Sequence, residues 1–164
     1  MAIAHFVKQE EVYPLAKKHF EIEKARILKS FPDAIVEFVG SSSIPGALTL
    51  GDLDIQVRVA RDKFDEVVAK LKEFYHVNRP ERWEEGLALL HWKDHPEIPM
   101  SIVVTVIDSP NDNYHKERDL FKNNPHLLEK YNNLKRGFEG KSVEDYKAAK
   151  RKLFGPHGEV KSWK

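Results

Sequence analysis

The spacing of apolar positions divides the chain into a helix, a strand-rich middle and a helical end. From Val12 to Leu28, the residues Leu15, Phe20, Ile22, Ala25 and Leu28 recur among Glu and Lys, which predicts an amphipathic helix closed by Phe31-Pro32-Asp33. Ala34 to Val39 and Leu53 to Val59 predict two strands. The second alternates throughout, with Leu53, Ile55, Val57 and Val59 on a core face and Asp52, Asp54, Gln56 and Arg58 on a face expected to be wet. Arg61 to Tyr75 returns to helical spacing through Phe64, Val67, Val68, Leu71 and Phe74. Leu87 to Trp92 and Met100 to Ile107 predict two further strands. Past Ser109-Pro110-Asn111-Asp112, three helices are predicted over 113–123, 125–138 and 142–154, with Pro125 in a first turn, Ser142 as an N-cap and the last ten residues frayed.

This order predicts an α+β fold in a single domain over 1–164: an N-terminal helix at 12–28, a small mixed β-sheet core at 34–107 with packed helices, and a C-terminal helical segment at 113–154. With 164 residues the chain is long enough to bury a core without covalent staples. Cysteine is absent, which excludes a disulfide scaffold, thiol catalysis and Cys-bound metal. No apolar run approaches the roughly 20 residues of a membrane span, so a soluble cytoplasmic protein is expected.

The net charge of +1 conceals an asymmetry. Residues 1–114 hold 19 of the 26 acids, and residues 115–164 hold 13 of the 27 Lys and Arg. A cleft between such halves suits a cation on one wall and phosphates on the other, whereas the bland reading is a set of solvated Lys-rich helices. The overall charge is too small to signal a nucleic-acid binder.

Chemistry concentrates between the first two strands. Gly40-Ser41-Ser42-Ser43 offers a close-approach glycine, hydroxyls and amide N–H groups suited to phosphate oxygens. Asp52 and Asp54, two apart on a strand, share a face on which both can ligate a hard divalent cation. In the tail, Tyr114 and Arg118, Tyr131 and Lys135, and Tyr146 and Lys150 each set a cation one helical turn after a tyrosine, where it can reach towards the acidic strand or simply snorkel beside the ring. His91, Asp94, His95 and Glu97 lack a zinc spacing, and no nucleophile elbow or Walker turn is present.

Gly40-Ser41, ten intervening residues and Asp52-Leu53-Asp54 together resemble the signature of the DNA polymerase beta-type nucleotidyltransferase superfamily. Within it, Val39-Gly40-Ser41-Ser42-Ser43-Ile44-Pro45-Gly46 is most similar to the Gly-Ser-Thr-x-Val-Pro-Gly turn of the GrpB family. Arg118-Asp119-Leu120-Phe121, Asn124-Pro125, Tyr131 to Arg136 and Tyr146 to Lys150 extend the resemblance through the tail. It implies a nucleotidyltransferase-like fold, a phosphate role for Gly40, Ser41 and Ser42, and a catalytic, metal-holding role for Asp52 and Asp54. The implied cofactor is Mg2+, with Mn2+ as the alternative.

Arg118, Lys135 and Lys150 are the candidate phosphate partners from the tail. The expected partner is a nucleoside triphosphate or a related phosphorylated small molecule, bound with Mg2+ and giving its nucleotidyl group to a hydroxyl; the alternative is a non-catalytic module for a nucleotide or a CoA-related ligand. Two departures from the family pattern bear on this choice. Leu50-Gly51 and two acids stand where GrpB members commonly have Lys-Pro and one acid. A transferase triad also needs a third carboxylate on a neighbouring strand, and Met100 to Ile107 contains none, although Glu97 and Asp108 bracket it.

Overall fold

The computed structural model describes residues 1–154; the frayed end expected for 155–164, and Trp163 with it, lie outside the described residues. Strand β1 (Val7–Lys8) leads into helix α1 (Gln9–Ser30), followed by β2 (Ile35–Val39), β3 (Leu48–Thr49) and β4 (Leu53–Val59). Helix α2 (Phe64–Leu71), β5 (His76–Val77), β6 (Leu87–Trp92) and β7 (Met100–Val106) complete the middle of the chain. Helices α3 (Tyr114–Asn123), α4 (Pro125–Phe138) and α5 (Val143–Phe154) form the end. The fold is mixed α+β, as expected.

The main sheet runs β2-β4-β7-β6-β5, with β4 and β7 parallel and the other pairs antiparallel. One face, carrying Leu53, Ile55, Val57, Ile102 and Val104, packs with Phe20 and Ile27 of α1 and Val67 and Leu71 of α2 into the core. These apolar side chains leave water together, at about 25 cal/mol per Å² of apolar surface buried. The short β1–β3 ribbon and the β5 strand were not foreseen, because two residues are too few to carry a period.

Two expectations require correction. Helix α1 begins at Gln9 rather than Val12, and its buried line is Ala16, Phe20, Glu23 and Ile27, while Leu15 and Ile22 are exposed. Polar residues occupy part of its inner face: Glu23 accepts a 2.5 Å hydrogen bond from the Tyr75 hydroxyl, and His19 contacts the Glu97 carboxylate. A single helical turn follows β2 on Ser41–Ser43, where the Gly40 carbonyl accepts from both the Ser43 amide and its hydroxyl.

The second face of β4 is also not an ordinary wet face: Asp52, Asp54 and Arg58 keep partial exposure, but Gln56 between them is covered. Gln56 and Asp112 are fully buried, and Arg58 donates two 2.8 Å bonds to the Asp112 carboxylate. Gln56 donates to Thr105 and Asp112 at 3.0 Å and accepts from the His115 amide. This network fastens the start of α3 across the sheet. Burial opposes the Asp112 charge, yet the bonds from Arg58 hold its carboxyl below the usual carboxylate range.

Removing one member leaves its partners buried and unpaired. Asp112→Asn is expected to lower unfolding free energy by about 3 kcal/mol in urea titrations. Ile22→Gln is expected to change it by less than about 0.5 kcal/mol, since Ile22 faces solvent.

Candidate functional site

The site begins where β2 ends. Val39 pairs with Asp54 across the antiparallel β2–β4 ladder, so Gly40 lies directly against the Asp54 side chain. Gly40 has φ +77°, and a Cβ there would fall 2.8 Å from both Cβ and Cγ of Asp54 and closer still to Oδ2. Only glycine accepts both the backbone conformation and the contact.

Three side chains from two helices hold the turn that follows. Gln9 of α1 donates to the Ser42 carbonyl at 3.0 Å. Asn132 of α4 accepts from the Leu48 amide and donates to the Gly46 carbonyl, both at 2.9 Å. Lys135, one turn further along α4, donates to the Ser41 hydroxyl at 2.8 Å and to the Leu48 carbonyl. A small apolar cluster of Ile44, Ala47, Phe121 and Tyr131 seals this junction.

Beside the turn, the sheet and the three C-terminal helices enclose a cavity of about 270 Å3. Gly40, Ser41, Asp54 and Ser101 line its sheet side, and Tyr114, Glu117, Lys135 and Lys150 line its helical side. The Lys135 ammonium sits 3.7 Å from the centre of the Tyr131 ring, and the Lys150 ammonium 5.9 Å from it, while the Tyr131 and Tyr146 hydroxyls are hydrogen-bonded at 3.0 Å. Two of the three tyrosine–cation pairs therefore converge on one place.

The electrostatics are those of charges confined together. Burial first, and then the Asp52 charge, push the Asp54 carboxyl up to about 8. Burial raises Glu117 to about 7 against the pull of Lys150 and Lys135. Burial and the Lys150 charge push Lys135 well below the lysine range, whereas the oxygens of Tyr131 and Tyr146, with Glu117 and Asp54, keep Lys150 well above it.

The remaining candidates are placed differently. Asp52 stands outside the cavity lining but near enough to act on Asp54. The Ser42 hydroxyl is engaged within the turn, bonded to Thr49 and to the Asp52 carbonyl. Arg118 lines the cavity, but its guanidinium is tied to Glu37, Asp119 and the Phe38 carbonyl. Two oxygen donors beside an N–H-rich turn suit a hard divalent cation, and their mutual repulsion is what such an ion relieves. Among the described residues no group of three or more His, Asp or Glu is placed to hold a metal.

The β4–β7 register explains the missing strand carboxylate. Ser101 pairs with Asp54 on the same face, so the residue beside Asp54 on the neighbouring strand carries a hydroxyl rather than a carboxylate. The nearby acid comes instead from helix α3 as Glu117, which was missed because its approach depends on how α3 crosses the sheet. Asn132 was missed too, although its position three residues before Lys135 places both on one helix face.

A family model described as GrpB protein matches residues 7–157. A UPF0157 protein of Vibrio cholerae is 33% identical over 135 residues, covering 81% of this chain and 69% of that one. The crystal structure of the conserved protein GrpB from Enterococcus faecalis superposes with a TM-score of 0.66 at 23% identity, covering 92% of this chain and 96% of that chain. The same fold appears in the Cid1 poly(U) polymerase, with a TM-score of 0.55 at 12% identity, and in the GLD-2/RNP-8 complex, with 0.54 at 11%. Those matches cover 79% and 94% of this chain but only 42% and 54% of the larger chains. The strand register, the glycine turn and the helical tail therefore agree with the sequence comparisons: the chain belongs to the GrpB family and has a nucleotidyltransferase-like fold.

Proposed function

We propose that the cavity binds a nucleoside triphosphate with Mg2+ and transfers its nucleotidyl group to a hydroxyl. The observation that carries this reading is the contact between Gly40 and Asp54, which sets a phosphate-sized turn against a carboxylate at the edge of a cationic cavity. The Cid1 structure that shares the fold was described with MgGTP bound, which supports the same ligand class here. Gly40 and Ser41 present their backbone to the β- and γ-phosphates, and Lys135 and Lys150 neutralise them from the helical side. Asp52 and Asp54 would hold Mg2+, which supplies Lewis-acid stabilisation of the phosphate charge. Glu117, poised near neutrality, takes the proton of the attacking hydroxyl.

Ser101 beside Asp54, a hydroxyl rather than a carboxylate, favours a second reading, a module that binds the nucleotide without turnover. Pyrophosphate release separates the two. It is expected from the intact protein and is lost in Glu117→Gln, which retains nucleotide binding.

Binding itself is tested by thermal unfolding with ATP, GTP, CTP, UTP and dephospho-CoA, each with and without Mg2+. A saturating nucleotide is expected to raise the midpoint by about 5 °C or more in a Mg2+-dependent way, since a ligand bound only by the folded state stabilises it. Asp54→Asn and Gly40→Ala each abolish the rise. No rise with any nucleotide in the intact protein would overturn the reading.

Asp54 also sets a pH dependence. Folding raises its carboxyl from 3.8 to about 8, so the folded chain binds the proton more tightly than the unfolded one. The metal-free protein therefore loses stability as pH climbs through that window. Asp54→Asn removes the loss and is expected to be more stable than the parent at pH 8 to 9, by on the order of 1 kcal/mol or more in urea titrations.

A further inference from the structure

The cavity lining also carries a second group of cations, reaching from the turn after β5 to Lys147 beside the acid pair, that the nucleotide reading leaves unused. We infer that Arg79 and Arg82, facing Lys147 and Arg151 of α5, form a subsite for the phosphate of the acceptor, a small hydroxyl compound that already carries a phosphate ester. The inference rests on the nucleotide reading above and assigns its second substrate.

Sheet order gives the distance. Arg79 and Arg82 follow β5, three strands from β4 in the order β4-β7-β6-β5. At about 4.8 Å per strand, β5 stands roughly 14 Å from the Asp54 strand, and the turn carrying Arg79 and Arg82 packs back on β6, so the arginines lie on the side of β4 away from β2 and its glycine turn. A triphosphate seated on Gly40 and Ser41 with its α-phosphate near Asp54 does not extend its outer phosphates to Arg79. In-line displacement requires the attacking oxygen opposite the departing pyrophosphate. The β5 edge is therefore the acceptor's side.

The chemistry at this edge matches an anion. Arg79 adopts the left-handed conformation, φ 43° and ψ 61°, immediately before Pro80, where the backbone ordinarily prefers an extended shape. Hydrogen bonds from the Arg82 amide to the Arg79 carbonyl and from the Trp83 indole to the Asn78 carbonyl, both 2.9 Å, fix this strained turn. The Arg79 guanidinium meets one acid, the exposed Glu144, at 3.7 Å. Burial and then the Arg79 charge push the Lys147 ammonium down, against the pull of Glu144 and of Asp52. Cations held close enough to repel one another are relieved by an anion, as the acid pair is relieved by a cation. A nucleobase would be served by one stacked guanidinium and gains nothing from Lys147.

In the step this implies, the acceptor hydroxyl gives its proton to the Glu117 carboxylate and its oxygen bonds to the α-phosphorus of the nucleoside triphosphate. The bond from that phosphorus to the bridging oxygen breaks, pyrophosphate leaves, and the acceptor's own phosphate is untouched.

The test is calorimetric titration of the full chain saturated with Mg2+ and α,β-methylene-ATP, which cannot release pyrophosphate, using ribose 5-phosphate and ribose as probes. Ribose 5-phosphate is expected to bind one to one and ribose at least tenfold more weakly. Arg79→Gly and Arg82→Ala are each expected to weaken ribose 5-phosphate at least tenfold, while analogue affinity stays within about twofold and Arg82→Lys recovers part of the loss. Glycine is at ease at this backbone conformation, so Arg79→Gly keeps its unfolding midpoint.

Equal binding of ribose and ribose 5-phosphate would overturn the assignment. So would a matching loss of analogue affinity in the variants, which would give the arginines to the nucleotide, or tighter binding of a short oligoribonucleotide that the variants abolish. If the analogue fails to bind the parent protein, the nucleotide reading fails. Ribose 5-phosphate titrated alone, with its dependence on Arg82, then still decides the subsite.

Discussion

No side chain fits between the end of β2 and the carboxylate of Asp54, and the arrangement of the site follows from that contact. The antiparallel register brings Val39 opposite Asp54, so the chain must turn at Gly40 with its backbone against an acid. Such a close approach exposes amide groups to a ligand while leaving the carboxylate beside them. The turn is held by Gln9 from one side and by Asn132 and Lys135 from the other, which couples the first helix, the sheet and the fourth helix to the geometry of one glycine.

A second constraint is the burial of charge on the same sheet face. Arg58, Gln56 and Asp112 satisfy one another and lock the start of α3 in place. Earlier in the strand, Asp54 has no such hydrogen-bonded set among the described residues, and burial and Asp52 raise its pKa. One half of the face is thus neutralised internally, whereas the other keeps acids and lysines in mutual tension across a cavity. A ligand with both a cation and phosphates is the kind that relieves that tension.

Much of the fold was legible because its period is strong. The alternation of β4 marks its observed bounds, and Asn-Pro punctuation and an apolar stripe mark the ends of α3 and α4. Helix α1 was misread on its inner face, where Glu23 and His19 are buried through partners distant in sequence. The polar face of β4 looked solvated because nothing in the strand reveals that a later helix will cover it. The glycine turn and the acid pair were visible as a motif. Glu117 and Arg79 were not, since each enters the cavity through tertiary placement, one from the path of α3 and the other from a left-handed turn before proline.

The most direct measurement is the electron spin-echo spectrum of Mn2+ and ATP with the protein, recorded for the parent and for Asp54→Asn. The account predicts one bound Mn2+ in the parent, with phosphorus couplings distinct from those of Mn2+-ATP in solution, and return of the solution spectrum in the variant. A parent spectrum identical to free Mn2+-ATP, or a bound spectrum that Asp54→Asn leaves unchanged, would contradict it.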